Sequence, residues 1–253
     1  MSVRLGTTVD TDRLHAQLAA ALTMSGDFML AIWAKHMVQM ATFLNVVQLS
    51  DHPTSPTVPL IGMVSSSSDG LMDVTIGPDS FQGLTGDWTV GVWRYLTMGR
   101  TGTTGHLRVF ADSTSTTPIS DSTYTDASAE TTVDAILIGD NITGREGCAN
   151  AELESLKIHT GTYWSNAECR TESQKYAIQK AGGSERFAVR LADLSATTDG
   201  RQEIGGAWTM TNVGSVVGAS RPTQLEALGG DFTAPFPSGL TRRIAAASRQ
   251  GWA

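Results

Sequence analysis

Short runs in which apolar and polar residues alternate, separated by turn-forming residues, recur along most of the chain. In LMDVTI, Met72, Val74 and Ile76 fall on one face and the polar residues between them fall on the other. This alternation is typical of an antiparallel strand with one buried face. Other strand-like runs are ATFLNVVQL, PLIGMV, WTVGVWRYLTM, GHLRVFA, AILIG, FAVRLADL and AWTMTN. Because no long helical period interrupts the series, the pattern predicts an all-β protein and excludes a parallel α/β sheet.

One run differs from the others because both of its faces are apolar. In GDFMLAIWA, the even positions from Phe28 to Ile32 and the odd positions from Met29 to Trp33 all carry apolar side chains. Successive side chains of a strand point to opposite faces. This run therefore predicts a strand that is buried on both sides.

Three segments depart from the strand pattern. Residues 10–24 carry leucines at helical spacing after a Thr- and Asp-rich start, which predicts a short N-terminal helix. Residues 112–133 are rich in Ser, Thr and Asp and predict a long exposed loop. After Asp231, Pro235 and Pro237 oppose regular strand pairing, which predicts an extended C-terminal arm.

These features divide the chain into three parts. We expect an N-terminal extension at residues 1–25, an antiparallel two-sheet jelly-roll sandwich at 26–215 and the extended arm at 216–253. The composition agrees, because 40% hydrophobic residues and 26 Gly in 253 residues suit a strand-and-turn protein with one sizeable core.

Charge and hydropathy exclude two classes of partner. The net charge is -7 and the longest basic cluster is Arg242-Arg243, so the chain lacks the clustered cations that nucleic-acid binding requires. No window has about 18 consecutive apolar residues, and the amino terminus lacks the apolar core of a signal peptide. We therefore expect no membrane partner and synthesis in the cytoplasm.

The two cysteines, Cys148 and Cys169, stand about twenty residues apart without a second CxxC half. This spacing argues against a zinc site built from cysteine alone. Two buried free thiols are favoured over a disulfide, which stays open as the alternative.

The order of the strand motifs resembles the laminin-G-like, concanavalin-A-like jelly-roll family. The opening strand of that family reads like F-x-x-x-x-W-x-K, and Phe28, Trp33 and Lys35 stand at those positions. The run GDWTVGVWRYLTM looks like the Trp-bearing strand that follows in the family. The turn GRTGTTG and the run HLRVFAD, which ends at Asp112, look like the hairpin and the strand after it.

The most specific part of the resemblance comes next along the chain. The runs ILIGDN and AELESLKIHTGTYWSNAE look like the family pattern I-G … G-x-I-D-E-V-R-I-Y … L-S-x-A-E. The residues at matching positions are Glu154, Leu156, Ile158, Ser165 and Glu168. Glu154 stands where the family more often has Asp, and His159 stands where it has an aromatic residue. The resemblance covers about residues 26–176.

Two kinds of binding site are candidates. Trp164, with the nearby His159, is our candidate for a glycan-binding platform, since flat aromatic rings suit sugar faces; core packing is the alternative. Calcium is the candidate cofactor, because laminin-G-like domains often hold this ion at a loop rim. Asp112, Asp140 and Asn141 are the candidate oxygen ligands, and structural turns are the alternative.

Catalytic residues are harder to find. Glu152 and Glu154 form the one tempting carboxylate pair for glycoside hydrolysis. Strict alternation would place both on the same face as Leu156 and Ile158, and no third acid follows at the expected spacing. The sequence also has no nucleophile elbow and no phosphate-binding loop. We therefore expect a protein that is not an enzyme.

The leading functional hypothesis is a virion surface protein, such as a bacteriophage capsid decoration or tail-fibre component, that binds a glycan or a host receptor. Its location would be the virion, and its partners would be other virion proteins or copies of itself. Arg242, Arg243 and Trp252 are the candidate contacts of an assembly arm. The alternatives are a carbohydrate-binding module of a carbohydrate-processing system and a degenerate glycoside hydrolase.

Overall fold

The computed structural model describes residues 2–4, 13–24, 26–36, 44–51, 59–65, 72–76, 79–84, 89–126, 132–139, 151–175, 178–184, 186–189, 191, 198–200, 208–213 and 217–219. These residues form two β-sheets and one α-helix, and every strand pair among them is antiparallel. The predicted antiparallel two-sheet jelly-roll sandwich is confirmed. Among the described residues, the helix has only eight residues, which is too short to span a bilayer.

The elements in chain order are β1 (Ser2–Arg4), β2 (Arg13–Thr23), β3 (Phe28–His36), β4 (Leu44–Ser50), β5 (Pro59–Ser65), β6 (Met72–Ile76), β7 (Asp79–Leu84), β8 (Arg94–Thr101), β9 (Thr104–Phe110), β10 (Ser120–Thr125), β11 (Thr132–Ile138), β12 (Ala151–Thr160), α1 (Asn166–Ser173), β13 (Arg186–Val189), β14 (Thr198–Gly200), β15 (Trp208–Val213) and β16 (Val217–Ala219). The first sheet, sheet A, has the order β10-β9-β8-β3-β12-β1-β16, and β13 also pairs with β12. Sheet B has the order β14-β15-β2-β11-β4-β5-β6-β7.

The predicted N-terminal helix is wrong, because its residues form the long strand β2 in sheet B. The same leucines that fit a helical spacing also fit a period of two. Ala16, Leu18, Leu22 and Met24 are buried in the core between the sheets, and Gln17 is exposed between two of them. Alanine at the intervening positions hid this alternation. Pairing with β11 on one side and β15 on the other decides in favour of the strand.

Part of the predicted loop at 112–133 is also a strand. Residues 120–125 form β10, which pairs with β9 at the edge of sheet A. Tyr124 is the inward-facing residue of β10 and lies across Gly105 of β9, where a Cβ would have no room. The Thr residues around it are β-branched and suit a strand at an exposed edge.

The division into three parts stays a prediction, although β1 and β2 from residues 1–25 pair with strands of both sheets. The segment 216–253 lies outside the described residues except for β16, which pairs with β1.

The main core lies between the two sheets and is built from the inward faces of both. It contains Leu30 and Ile32 of β3, Val47 and Leu49 of β4, and many aliphatic residues of the other strands. The opposite face of β3 belongs to a second cluster, which includes Met29, Ala31 and Trp33. The prediction that β3 is buried on both sides is therefore confirmed.

A β-bulge in β12 changes which side chains point outward. Ser155 has φ of 55°, and the register of β12 against β3 shifts between Glu154 and Lys157. Leu153 and Leu156 both enter the core between the sheets because the extra residue lies between them. The expectation that Glu154 shares a face with Leu156 and Ile158 is wrong for this reason.

We expect the bulge to tolerate glycine and to reject a β-branched residue. Ser155→Gly should change the free energy of unfolding by no more than about 1 kcal/mol, because glycine adopts positive φ freely. Ser155→Val should lower it by about 2 kcal/mol, since a left-handed conformation is costly for residues with a Cβ and worst for branched ones. Urea denaturation of both variants measures the difference.

The control for this comparison is Thr125→Val, at an exposed position of β10. It should change stability by less than about 0.5 kcal/mol. A Ser155→Val variant as stable as the glycine variant would show that the bulge does not impose this backbone conformation.

Candidate functional site

The outer face of sheet A, which points away from sheet B, is covered by the segment that contains α1. Ser165 caps the helix, since its side chain accepts a hydrogen bond from the backbone N–H of Glu168, while the Glu168 carboxylate accepts one from the backbone N–H of Ser165. This is a capping box. The two residues matched by the family resemblance at these positions therefore have a clear structural role, because they start the covering helix.

Buried polar contacts attach α1 to the sheet. The Lys157 ammonium, which is completely buried, donates to the Glu172 carboxylate at 2.9 Å and to the Glu172 carbonyl at 2.6 Å. The Trp33 indole N–H donates to the Ser173 carbonyl at 3.0 Å. A charge removed from water needs such a partner, so Lys157 and Glu172 hold each other in place.

Glu172 also organises the chain that follows the helix. The other oxygen of its carboxylate accepts the backbone N–H groups of Gln179 and Lys180 at 2.8 and 2.7 Å. One buried carboxylate thus joins the strand β12, the helix and the segment after it.

Trp164 and His159, the predicted glycan-binding pair, lie within this covered layer. Both side chains are completely buried. The Trp164 indole N–H donates to Nδ1 of His159 at 3.1 Å, and Nε2 of His159 lies 2.9 Å from the Gly182 carbonyl. Neither ring presents a face to solvent, so the geometry gives this pair a structural role instead of a sugar-stacking one.

Just before the helix cap, a partly exposed group of side chains lies on the outer face of β9 and β10. We call His106, Arg108, Asp121 and Tyr163 the rim cluster. Nδ1 of His106 lies 3.0 Å from one Asp121 oxygen, and Nε of Arg108 lies 3.4 Å from the other. The Arg108 guanidinium stacks 4.9 Å from the centre of the Tyr163 ring, and the His106 and Tyr163 ring centres are 5.6 Å apart.

The strand register explains why these side chains meet. His106 and Arg108 are two residues apart on β9 and share its outer face, while Leu107 and Val109 enter the core. Asp121 is the direct cross-strand partner of Arg108. Nη1 of Arg108 also donates to the Trp164 carbonyl at 2.9 Å, which ties the rim cluster to the covering segment.

Exposure differs sharply within the rim cluster. The side chain of Asp121 is 33% exposed and that of His106 is 21% exposed, whereas that of Arg108 is only 6% exposed. Tyr163 is partly buried, with its hydroxyl turned away from solvent. The cluster therefore presents a carboxylate and an imidazole beside an aromatic residue.

Of the three predicted calcium ligands, Asp112 lies among the described residues. Oδ1 of Asp112 accepts hydrogen bonds from the N–H and the hydroxyl of Thr114, both at 2.7 Å, and from the N–H of Ser115 at 3.0 Å. The Thr114 hydrogen bonds lower the pKa of Asp112. This pattern is that of a turn. Asp140 and Asn141 lie outside the described residues, so calcium binding stays a prediction.

The described residues also contain no cluster of side chains that would suit a metal ion. No three His, Cys, Asp or Glu side chains within that part of the chain come close enough to hold an ion.

Cys169 is a buried free thiol, as favoured from the sequence, and burial raises its pKa to about 11. Such a thiol stays protonated at neutral pH and is a poor nucleophile. Cys148 lies outside the described residues, as do Arg242, Arg243 and Trp252 of the predicted assembly arm.

Packing buries both candidate catalytic carboxylates. Glu152 forms an ion pair with Lys35 at 2.7 Å and is almost completely buried. Glu154 is completely buried, and one of its oxygens accepts the backbone N–H of Ser155. Neither carboxylate is placed to reach a substrate on the surface.

Sequence reasoning missed the rim cluster. The alternation in GHLRVFA already placed His106 and Arg108 on one face, which was an available signal. Asp121 lies in the Ser-, Thr- and Asp-rich stretch whose composition predicts a loop, so the local pattern does not indicate its pairing with β9. The contact of Tyr163 depends on the path of the covering segment, which no local pattern encodes.

No protein-family model matches this chain, and a search of curated proteins also found no match. Solved structures with a similar fold include a protein from Bacteroides ovatus that is proposed to bind carbohydrate, with a TM-score of 0.58 at 8% identity. That alignment covers 88% of this chain and 61% of the other.

Two further alignments have lower TM-scores. A heptameric SAP-like pentraxin from Limulus polyphemus gives 0.49 at 12% identity, over 68% of this chain and 81% of the other. A mutant Trypanosoma rangeli sialidase with trans-sialidase activity gives 0.44 at 12% identity, over 59% of this chain. The aligned part is 23% of the length of that sialidase. At 8% identity the likeness to the Bacteroides ovatus protein concerns the fold alone, which is a two-sheet jelly-roll sandwich.

The buried ion pair under α1 gives a stability prediction. Glu172→Gln should lower the free energy of unfolding by about 3–5 kcal/mol, because it leaves the Lys157 charge buried without its counter-charge. Lys180→Met, which removes a partly exposed ion pair with Glu168, should cost less than about 1 kcal/mol. Urea denaturation compares the two. Equal losses in both variants would mean that the buried pair does not hold the helix on the sheet.

Proposed function

We propose that this protein is a non-enzymatic carbohydrate-binding β-sandwich and that the rim cluster contacts the sugar. The observation that carries the proposal is the exposed Asp121 carboxylate held next to His106 and Tyr163. These side chains come from β9, from β10 and from the covering segment, and contacts within the rim cluster position them.

The chemistry of the rim cluster suits a sugar. Sugar hydroxyls donate hydrogen bonds to carboxylates. They also donate to, or accept from, an imidazole nitrogen, depending on which nitrogen carries the proton. The carbon-bound faces of a sugar ring pack well on aromatic side chains. Because Asp121 is held by His106 and Arg108 before any ligand arrives, little side-chain entropy is lost on binding.

The similar fold of the Bacteroides ovatus protein supports the proposal, since that protein is itself proposed to bind carbohydrate. The non-enzymatic part rests on the carboxylates of β12. Glycoside hydrolysis needs two carboxyl groups that both face the bond to be cleaved. Glu152 is paired with Lys35 and Glu154 is completely buried. This burial argues against the alternative that the protein is a degenerate glycoside hydrolase.

The virion surface role remains a prediction, as do the location in a virion and the partnership with virion proteins or copies of this chain. Co-purification of the chain with virus particles tests that role. A carbohydrate-binding module of a carbohydrate-processing system would bind its sugar at the same site. The glycan experiment below therefore tests sugar binding for the virion hypothesis and for this alternative alike.

A glycan array followed by calorimetry tests the proposed function. We expect at least one oligosaccharide to bind, and we expect Tyr163→Leu and Asp121→Ala each to weaken its binding about tenfold or more, the effect of losing about 1.4 kcal/mol. Tyr163→Leu keeps an apolar side chain against Arg108 and so limits damage to the fold.

The matched control is Gln17→Ala, an exposed residue of β2 on the other sheet. It should leave the affinity unchanged. The proposal fails if no oligosaccharide binds, or if the rim-cluster variants bind as tightly as the control.

A further inference from the structure

We propose that the rim cluster selects neutral sugars and disfavours sugars that carry a carboxylate. This inference rests on the proposed function and adds the class of ligand. It follows from which charge of the cluster faces solvent and which charge is buried.

The negative charge is the one that a ligand meets. At 33%, the side chain of Asp121 is more exposed than those of His106 and Arg108, and it lies on the edge strand of sheet A. His106, at 21%, turns Nδ1 toward the same carboxylate. A sugar that approaches the cluster therefore reaches a carboxylate that accepts hydrogen bonds from hydroxyl donors.

The positive charge has little left to offer a ligand. The side chain of Arg108 is only 6% exposed. One of its nitrogens donates to the Trp164 carbonyl, another faces Asp121, and the plane of the guanidinium rests on Tyr163. To reach this cation, an acidic sugar would have to displace Asp121 from it.

An acidic sugar would thus place its carboxylate against that of Asp121. Like charges across an interface oppose binding and are a common source of specificity. The net charge of -7 acts in the same direction at longer range. A neutral sugar meets neither penalty, and its hydroxyl groups donate hydrogen bonds to the exposed part of the Asp121 carboxylate.

Matched pairs of oligosaccharides test the inference. Calorimetry at neutral pH would compare oligomers of glucose and galactose with the corresponding oligomers of glucuronic and galacturonic acid. We expect the neutral member of a pair to bind about tenfold or more tightly than its acidic counterpart. Asp121→Asn should reduce this ratio severalfold by improving the relative binding of the acidic member, and Gln17→Ala should preserve the ratio.

A second measurement needs no variant. Raising the salt concentration screens charge repulsion, so the preference of the unaltered protein for the neutral member should shrink between low and high salt. The salt comparison does not depend on Asp121→Asn, a variant in which Arg108 could move and itself change sugar binding.

The outcomes separate the two proposals. If acidic sugars bind as well as neutral ones or better, and their binding still weakens in Tyr163→Leu, the carbohydrate-binding function stands and the selectivity is overturned. If neither Asp121→Asn nor salt changes the ratio of neutral to acidic affinity, the selectivity does not come from this charge and is likewise overturned. If no oligosaccharide binds, either in these pairs or on the glycan array, both proposals fall.

Discussion

The single extra residue at Ser155 is the constraint on which the rest of sheet A depends. Without it, β12 would carry one alternation along its length, and Lys157 and His159 would point into the core between the sheets. With it, Leu153 and Leu156 both face that core, and the polar side chains after the bulge face outward. The covering helix can then be held by charge pairing in a dry layer, which the sandwich alone does not provide.

That covering layer is what positions the candidate site. The Lys157–Glu172 pair fixes α1, and the capping box at Ser165 sets where the helix begins. The residues just before the cap bring Tyr163 over the outer face of β9, where Arg108 holds both its ring and the Trp164 carbonyl. The rim cluster is thus the exposed edge of an otherwise buried polar network, and its geometry is set before a ligand arrives.

The fold class could be predicted from the sequence because alternation reports directly on strand faces, as in Met72, Val74 and Ile76. Prediction failed where two patterns coincided, as in β2, whose leucines fit a helix and a strand equally well. It also failed at Ser155, since a bulge needs an unusual backbone angle but leaves no required residue type. The pairing of Asp121 with Arg108 depends on strand register, a long-range property that local composition does not contain.

The most direct test of the account is a nuclear magnetic resonance titration of the protein with a tightly bound neutral oligosaccharide. The amide signals that shift should cluster at residues 105–108 of β9, at 120–123 of β10 and around Tyr163, with α1 and sheet B little affected. Shifts confined to sheet B or to the far end of sheet A would contradict the account. They would place the sugar away from the face that the bulge and the covering helix build.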